Sequence, residues 1–427
     1  MAATTPNENN ARSWLVVFGA FAALFCSVGF LNSFGIFEDY YATSRLADKS
    51  QSTIGWIGAI CIFFLFSIST VAGALLDFFG PEVLICSGSV VYVFGIMMIS
   101  LCKEYYQFLL AQGFLLGTAM SLLTWPPVAL VGKYIKQRRA AAMGIVIAGS
   151  SLGGVIWPIA IDHLLKKPSI GFPWTMRIVG FIMIPLLLFS CTVCRSPPAP
   201  APTQDASSEN NVTGSESIQD SVDEKPVNRK AEIIAFYKQP ALQLLCLAMF
   251  FTYFGMFSPF FYTTSYAVEK GYSSSFAFYT VSIVNGASFL GRIIPGFVAD
   301  RFGKFNCAII ASLSAGIIAL CWTKADSVAG LGIWCAAYGF ASGGILSLQQ
   351  ACAAQVSTSS STLGLAIGSV AGSTALSAMA NVPISGALAD KYGYLSLSLF
   401  SGISLLLGGV LLIMARLVQS RDLFATV

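Results

Sequence analysis

Three short patterns in the chain have the spacing of enzyme or metal sites, but none lies in the setting that such a site requires. Gly149 to Gly153 reads G-S-S-L-G, the G-x-S-x-G spacing of a hydrolase nucleophile, yet it lies inside an apolar run rather than at a strand-to-helix turn. Cys191 and Cys194 form a C-x-x-C pair without a second pair or a βαβ pattern. His163 is the only histidine, so a metal site or a Ser-His relay would lack partners. We therefore predict no catalysis, no metal and no cofactor.

The charge most suited to binding chemistry is Arg292, in the apolar run YTVSIVNGASFLGRIIPGFVAD. If Asp300 marks the membrane face, eight residues of helix place the guanidinium roughly 12 Å deeper. Such an arginine is either structural, binding backbone carbonyls or extending toward the interface, or it binds an anionic solute in a central cavity. Ser288, one turn earlier, cannot neutralise the charge, so we favour the anionic solute.

Six uncharged polar residues complete the candidate substrate site. Each alone is more often a packing or interhelical hydrogen-bonding residue than a ligand contact. Together with 33 phenylalanines they suit an amphipathic organic solute better than a sugar, whose hydroxyls require more polar partners. The candidates are Asn32, Tyr253, Tyr262, Asn285, Gln349 and Gln350.

The carboxylates are predicted to lie outside the membrane core. Every aspartate and glutamate falls in a loop or at the end of a predicted helix, so none is placed to relay a proton through the membrane. If the chain moves a solute, that movement is therefore predicted to be facilitated, by exchange, or coupled to protonation of a helix-end acid such as Glu38 or Asp39. The acids nearest to lipid are Glu38, Asp39, Asp77, Asp162, Asp300 and Asp390.

The composition is that of an integral membrane protein. Of the 427 residues 56% are hydrophobic and 10% are charged, whereas a soluble chain carries about a quarter charged residues. The 11 cysteines lie mostly in apolar runs and are interpreted as small buried residues rather than a disulfide framework. The net charge of +4 is spread over loops, so nucleic acid is not expected as a partner. Met1 to Arg12 is polar, so no cleaved signal peptide is expected.

A helix needs about 20 predominantly apolar residues to cross a bilayer, and almost the whole chain divides into such segments. The predicted fold class is therefore an all-α membrane protein with 12 transmembrane helices, arranged as six helices, a linker and six more. The predicted spans are 14–37, 53–76, 83–102, 106–131, 140–161, 174–194, 241–264, 274–299, 306–323, 328–351, 361–388 and 394–416.

One polar stretch separates the two halves. It opens RSPPAPAPTQDASSENN and cannot bury enough apolar surface to fold alone, so we predict disorder with at most a short interfacial helix around Lys230–Lys238. The glycosylation sequon at Asn211 is a chance match if this linker is cytoplasmic. The predicted regions are a tail 1–13, a half 14–194, the linker 195–240, a half 241–416 and a tail 417–427.

The distribution of Lys and Arg predicts the orientation. With the N-terminus inside, fourteen of these residues fall in inner segments and nine in outer loops. Because inner loops of membrane proteins carry the excess of positive charge, both termini and the linker are predicted to be cytoplasmic. The expected location is the plasma membrane.

Two predicted helices carry faces of small residues. Gly149 and Gly153 stand one turn apart in the fifth span, and small-xxx-small spacing lets two helix backbones approach closely in lipid. Gly364, Gly368 and Gly372 repeat this spacing in the eleventh span. We predict that both faces pack against neighbouring helices.

A short repeat relates the two halves. Gly73 to Gly80 reads GALLDFFG after the second span, Gly296 to Gly303 reads GFVADRFG after the eighth, and both share G-x-x-x-D-x-F-G. A third copy, Gly386 to Gly393, ends the eleventh span. Transporters built from such repeats enclose their binding site between two halves.

The segment after the fourth span resembles a family signature. It matches Y-x-x-K-x-R-R-x-x-A-x-G-x-x-x-A-G-S-x-x-G, which is similar to the fourth-to-fifth helix signature of the monocarboxylate porter family, within the major facilitator superfamily, and particularly of its fungal members. The glycine repeat resembles the loop motif of the superfamily. The matching residues are Tyr134, Lys136, Arg138, Arg139, Ala142, Gly144, Ala148, Gly149, Ser150 and Gly153.

The resemblance implies roles for particular residues. In the loop motif an aspartate and the following basic residues brace neighbouring helix ends, and an arginine at the position of Arg292 engages a carboxylate. This chain departs from better-known members at Ser288, where they have an aspartate, and near Asn32, where they have a lysine. The first copy of the repeat also lacks basic residues. The implied gating residues are Asp77, Lys133, Lys136, Arg138, Arg139, Asp300, Arg301 and Lys304.

We predict a secondary active or facilitative transporter that moves a small organic anion or an amphipathic metabolite by alternating access. Within transport, the alternative is an exporter of a fungal secondary metabolite. A transporter-like solute sensor is a further alternative, although the polar segments are too short for a signalling domain. A lipid-modifying enzyme would need a His/Asp/Glu constellation in the membrane. The expected partners are the solute and the lipid bilayer, with no required oligomer.

Overall fold

The computed structural model describes residues 10–196, 229–357 and 362–420. Within those ranges the chain is helical apart from short connections, and it contains no β-strand. The predicted all-α class is confirmed. The sequon at Asn211, most of the linker and the outer parts of both tails lie outside the described residues.

Twelve helices of the described ranges correspond one to one with the predicted spans. Nine continuous helical stretches in these ranges are long and apolar enough to cross a membrane. Two of them, Thr53–Ile99 and Leu363–Gln419, each join two helices at a kink, and Lys304–Leu320 is a further, shorter helix. The helices are α1 (Ala11–Arg45), α2 (51–79), α3 (81–99), α4 (Tyr105–Tyr134), α5 (Arg139–Leu165), α6 (Gly171–Val193), α7 (Pro240–Glu269), α8 (Ser274–Phe302), α9 (Lys304–Leu320), α10 (Val328–Val356), α11 (363–392) and α12 (394–419).

The last glycine of each repeat copy makes the turn between two consecutive helices. Gly80, Gly303 and Gly393 have φ angles of 78°, 93° and 74°, a left-handed conformation that glycine adopts without the steric cost of a Cβ. Pro81 follows the first of them at the start of α3, where its missing N–H would have no helical partner. The repeat therefore encodes the turns α2–α3, α8–α9 and α11–α12.

Several helices continue past their predicted ends. α1 reaches Arg45 instead of 37, and α7 reaches Glu269 instead of 264. The added turns are polar, so a boundary taken from hydropathy falls too early although the backbone hydrogen bonding continues. Glu38 and Asp39 consequently lie within α1 and not beyond its end, which corrects the predicted placement of these acids.

A short helix, Arg229–Tyr237, precedes α7, close to the interfacial helix predicted around Lys230–Lys238. Its Phe236 is buried, and the Tyr237 hydroxyl lies 2.8 Å from Ser369 Oγ on α11. This end of the linker therefore packs against the helical bundle and does not lie only on a membrane surface.

The two halves, α1–α6 and α7–α12, meet through two helix pairs. α2 packs against α11, and α5 packs against α8, in each case through small residues. A Cβ at Gly144 would clash with the Arg292 carbonyl oxygen, and one at Gly296 would lie 2.7 Å from the Ala140 carbonyl oxygen. Such close backbone approach is typical of helix packing in lipid. It brings polar residues of both halves into contact along α5 and α8.

Candidate functional site

The ends of α2 and α8 that carry Asp77 and Asp300 form one end of the bundle, here called the motif end. Asp77 Oδ2 accepts a hydrogen bond from the Leu365 N–H at 3.2 Å, and Asp300 accepts from the Ala140 and Ala141 N–H groups, both at 3.0 Å. These N–H groups belong to the first turns of α11 and α5, where a carboxylate interacts favourably with the helix dipole. Each aspartate thus binds a helix of the opposite half, and we call the two contacts the Asp77 latch and the Asp300 latch.

The basic residues predicted for the gate take different positions. Lys133 Nζ lies 3.3 Å from Asp77 Oδ1, and Arg139 Nη1 donates to the Ala354 carbonyl oxygen of α10 at 3.2 Å. Lys133 of α4 therefore supplies the cation that the first copy of the repeat lacks. The others are exposed or half-buried, namely Lys136, Arg138, Arg301 and Lys304.

The two small-residue faces pack against different kinds of neighbour. Gly149 and Gly153 of α5 lie against the backbone of α1 at Phe21 and Phe25, within the same half. The glycines of α11 lie against α2, in the other half; they are Gly364, Gly368 and Gly372. The first face therefore holds one half together, whereas the second forms part of the contact between halves.

Arg292 is buried between α8 and α5, with 4% of its surface exposed. Its Nη1 donates to the Ile147 carbonyl oxygen at 2.7 Å and also to Ser150 Oγ. Among the described residues no carboxylate lies within ion-pair distance of the guanidinium, and Nε has no hydrogen-bond partner. In this conformation Arg292 binds α5 of the other half and keeps unused donor capacity.

Asn32 of α1 and Asn285 of α8 approach the same point on α5. A Cβ at Gly154 would lie 2.6 Å from Asn32 Nδ2 and 2.8 Å from Asn285 Oδ1, so only glycine leaves room for both amides. Asn32 Nδ2 donates to the Ser150 carbonyl oxygen at 3.2 Å, and Asn285 Nδ2 donates to that of Val281 at 3.1 Å. Asn285 Oδ1 is buried without a partner. Ser150 thus touches both Asn32 and Arg292.

A second group of predicted residues lies on α7 and α10 beside aromatic rings. Tyr253 OH donates to Gln349 Oε1 at 2.5 Å, while Gln349 Nε2 and Gln350 Oε1 are buried without partners. The Phe66 ring of α2 lies 5.3 Å from the Tyr253 ring and 5.6 Å from the Trp125 ring of α4. Aromatic rings of both halves thus meet here. The sequence offers no signal for Phe66 and Trp125, because aromatic residues occur throughout the spans.

The two groups of predicted residues are neighbours, whereas Tyr262 lies apart. The Tyr253 hydroxyl and the Arg292 guanidinium are close enough to interact electrostatically. Tyr262, nine residues farther along α7, donates to the Val382 carbonyl oxygen of α11 at 3.0 Å. Nine residues of helix span roughly 13 Å, so Tyr262 does not share the environment of Tyr253.

Aromatic rings and buried polar atoms without hydrogen-bond partners lie close together in this region. Buried polar groups nearly always have hydrogen-bond partners, so unpartnered atoms on Asn285, Ser288, Arg292, Gln349 and Gln350 indicate capacity for a ligand or water. Ligand pockets commonly combine an apolar lining with a few polar groups that fix orientation. The G-x-S-x-G pattern lies entirely inside α5, so it is not a strand-to-helix turn.

A family model described as Major Facilitator Superfamily matches residues 13–357 of the chain. The chain is 42% identical over 418 residues to an MFS-type transporter of Aspergillus fumigatus, covering 97% of this chain and 94% of that protein. It is 44% identical over 410 residues to the agnestins efflux protein of Paecilomyces divaricatus, with 96% and 88% covered. It is also 37% identical over 413 residues to the aspyridones efflux protein of Emericella nidulans, with 96% and 79% covered.

Among solved structures, the fucose:proton symporter of E. coli is similar to this chain with a TM-score of 0.69, covering 94% of this chain and 99% of that chain. The sequence identity is 16%, so the likeness shows the shared fold alone.

Proposed function

The chain belongs to the major facilitator superfamily and is a membrane transporter, and from that premise we propose that it exports an amphipathic metabolite with an acidic group. The solute binds between the halves, at the contact of α5 with α8 and beside the rings of α2, α4 and α7. The sequence signature that resembles the monocarboxylate porter family supports the acidic group.

The unpaired cation at Arg292 is the observation that carries this proposal. An arginine in the middle of a membrane helix costs at least about 2.5 kcal/mol to place, and its described partners, Ile147 and Ser150, are neutral. A carboxylate can accept two parallel hydrogen bonds from a guanidinium and is the stronger partner. Arg292 therefore exchanges its contacts on α5 for the anionic group of the solute.

The neighbouring side chains favour an amphipathic body for the solute. Phe66, Trp125 and Tyr253 offer ring faces and edges, and such rings suit a flat apolar ligand. The polar atoms beside them are few, namely the amides of Gln349 and Gln350. A sugar would leave most of its hydroxyls unpaired against these rings.

Export is proposed from the relatives. Two relatives that align with almost the whole length of this chain are named as efflux proteins, one for the agnestins and one for the aspyridones. The chemical identity of this chain's own solute stays open within the class of amphipathic acids. We place the transporter in the plasma membrane with the motif end and both tails cytoplasmic, as the distribution of positive charge predicts.

The Asp77 latch and the Asp300 latch are the contacts that break and re-form during transport. Asp77 and Asp300 each hold a helix of the opposite half, so the motif end is closed in this conformation. Release of both carboxylates would let α11 and α5 move away from α2 and α8 and expose the solute site to the cytoplasm. Once the solute has bound, both latches would form again and close the cytoplasmic side, so that the solute leaves on the outer side.

Substitution of Arg292 tests the proposal. Arg292→Lys should impair export nearly as much as Arg292→Ala, because lysine cannot bind a carboxylate bidentately, while surface expression stays normal. Export is measured as the loss of candidate aromatic acids and of their methyl esters from loaded cells. The wild type should prefer the acid over its ester, and both variants should lose that preference.

The control is Arg12→Lys, at the exposed start of α1, which should export normally. Equal export by the wild type and by Arg292→Ala at matched expression would return Arg292 to a structural role. It would also remove the argument for an acidic solute.

A further inference from the structure

A groove of about 660 Å³ lies on the outer surface of the N-terminal half, between α3 and α4. Phe94 and Met98 of α3 and Leu110, Phe114 and Thr118 of α4 line it. Ligand pockets commonly measure about 300–1,000 Å³ and have an apolar lining with few polar groups, so the volume suits one small molecule. The groove shares no lining residue with the solute site, and its exposed apolar side chains face the region that lipid occupies around a membrane protein.

A π-helical segment shapes one wall of the groove. α4 is π-helical over Leu109–Leu116, and most of the groove residues of α4 come from this segment. π-Helical segments inside α-helices are frequent at functional sites. The same wall carries large exposed side chains, with Leu110 at 55% and Phe114 at 41% exposure, so an occupant would cover apolar surface.

Two polar side chains, Tyr106 and Gln107, lie together at one end of the groove, and Thr118 lies twelve residues farther along α4. Gln107 Oε1 accepts from the backbone N–H groups of Lys103 at 2.7 Å and Glu104 at 3.2 Å, which fixes the amide. Gln107 Nε2 donates to the Tyr106 hydroxyl at 3.3 Å. The hydroxyl proton of Tyr106 and the second amide proton of Gln107 remain as donors beside the groove. This end can thus donate hydrogen bonds to one oxygen atom of an occupant.

The sequence at this end has a corresponding pattern. Lys103, Tyr106 and Leu109 follow the order K-x-x-Y-x-x-L, which is the reversed form of a short pattern proposed for sterol contact. We propose that the groove binds one membrane sterol, with its hydroxyl at Tyr106 and Gln107 and its rings against Phe94 and Phe114. The site is separate from solute transport and does not rest on the proposed function.

Other occupants fit the groove less well. A phospholipid head group carries a phosphate, whereas the groove-lining donors Tyr106 and Gln107 are neutral and Lys103 is not among the lining residues. Flexible acyl chains would also lose conformational entropy in the groove, which a rigid ring system does not. A second copy of the chain would need a contact of roughly 800 Å² per partner, far more than one narrow groove supplies.

Photolabelling tests the proposal with the whole protein. The purified chain is reconstituted in phosphatidylcholine vesicles with a photoreactive sterol analogue, irradiated and digested, and the labelled peptides are identified by mass spectrometry. We expect label within 94–118, reduced by excess cholesterol or ergosterol and unaffected by excess phosphatidylserine. Label spread evenly over the lipid-facing helices would overturn the proposal, and so would competition by phosphatidylserine or by an aromatic acid that the protein transports.

Two variant pairs sharpen the test. Leu110→Trp fills the groove and should abolish the label in 94–118, whereas Leu395→Trp, an equally exposed leucine on α12, should not. Tyr106→Phe removes one hydroxyl donor and should weaken sterol competition roughly five-fold, the effect of one hydrogen bond, with Tyr392→Phe as the exposed control. Unchanged labelling in both Leu110→Trp and Tyr106→Phe would show that the sterol binds elsewhere.

Discussion

At the residue scale, the polar side chains inside the apolar runs differ in how completely their hydrogen bonds are satisfied. Arg292 has two acceptors on α5, while Asn285 and Gln350 each keep a buried oxygen without a partner. Residue type alone marks these positions as expensive to bury, so their selection from sequence is straightforward. Their hydrogen-bond partners cannot be selected in this way, because Ser150 and Ile147 lie more than a hundred residues from Arg292 along the chain.

The hydrogen bond from Tyr253 to Gln349 makes a testable contribution to stability. Tyr253→Phe removes the donor and leaves Gln349 Oε1 buried without a partner, which should cost about 1–3 kcal/mol. The measurement is thermal unfolding of the purified protein in detergent. Tyr279→Phe, at a tyrosine that is 47% exposed, should leave the melting temperature unchanged. If the two variants melt alike, the hydrogen bond makes no net contribution.

At the element scale, small residues decide which helices can touch. α5 meets α1 through Gly149 and Gly153 and meets α8 through Gly144 and Gly154, so it is bounded by glycines on two sides. Because lipid tails are as apolar as the side chains, close packing of backbones is a main source of helix association in membranes. α5 is therefore the helix through which the N-terminal half positions the residues of α8.

Packing of α5 on α1 should depend on Gly149. A leucine at this position would clash with the Phe21 carbonyl of α1, so Gly149→Leu should reduce the yield of folded protein severely. Gly286→Leu is the matched control, because a Cβ at Gly286 of α8 meets nothing within 4 Å. Yield is measured by size-exclusion chromatography of a fluorescent fusion. Normal yield of Gly149→Leu would mean that α5 and α1 can separate without loss of the fold.

At the scale of the whole molecule, each half binds a helix N-terminus of the other half through an equivalent aspartate. Asp77 of the N-terminal half caps α11, and Asp300 of the C-terminal half caps α5. The repeat in the sequence thus becomes a pair of reciprocal latches at one end of the bundle. A carboxylate at a helix N-terminus contributes about 0.3–2 kcal/mol of stabilising free energy. The two aspartates together can therefore favour the closed state while still allowing it to open.

Loss of the latches should open the motif end. Asp77→Asn combined with Asp300→Asn removes both charges from the helix N-termini, so the closed state should become less populated. The buried thiol of Cys352 on α10 should then react with a maleimide about ten-fold faster, as followed by mass spectrometry. Asp48→Asn, at an exposed acid paired with Lys49, should leave the rate unchanged. An unaltered rate in the double variant would show that other contacts keep the end closed.

Much of the architecture follows from the sequence alone. Bilayer thickness is a local constraint on every span, so hydropathy and length suffice to place α1 to α12 of the described residues. The repeat likewise predicts equivalent turns, since the left-handed conformations at Gly80 and Gly303 require glycine at the same position of each copy. Helix ends are less predictable, because polar turns such as the one that carries Glu38 extend a helix beyond its apolar run.

Only the tertiary structure decides which groups meet. Equal spacing of glycines suggests equal roles, yet the Gly149 face packs within one half and the Gly368 face packs between halves. The first copy of the repeat lacks a cation of its own, and Lys133 from α4 provides it. Arg292 is conspicuous in the sequence, but its contact with Ser150 depends on the approach of α8 to α5. Such pairings join distant segments, and they are set by the fit of whole helix surfaces rather than by any local pattern.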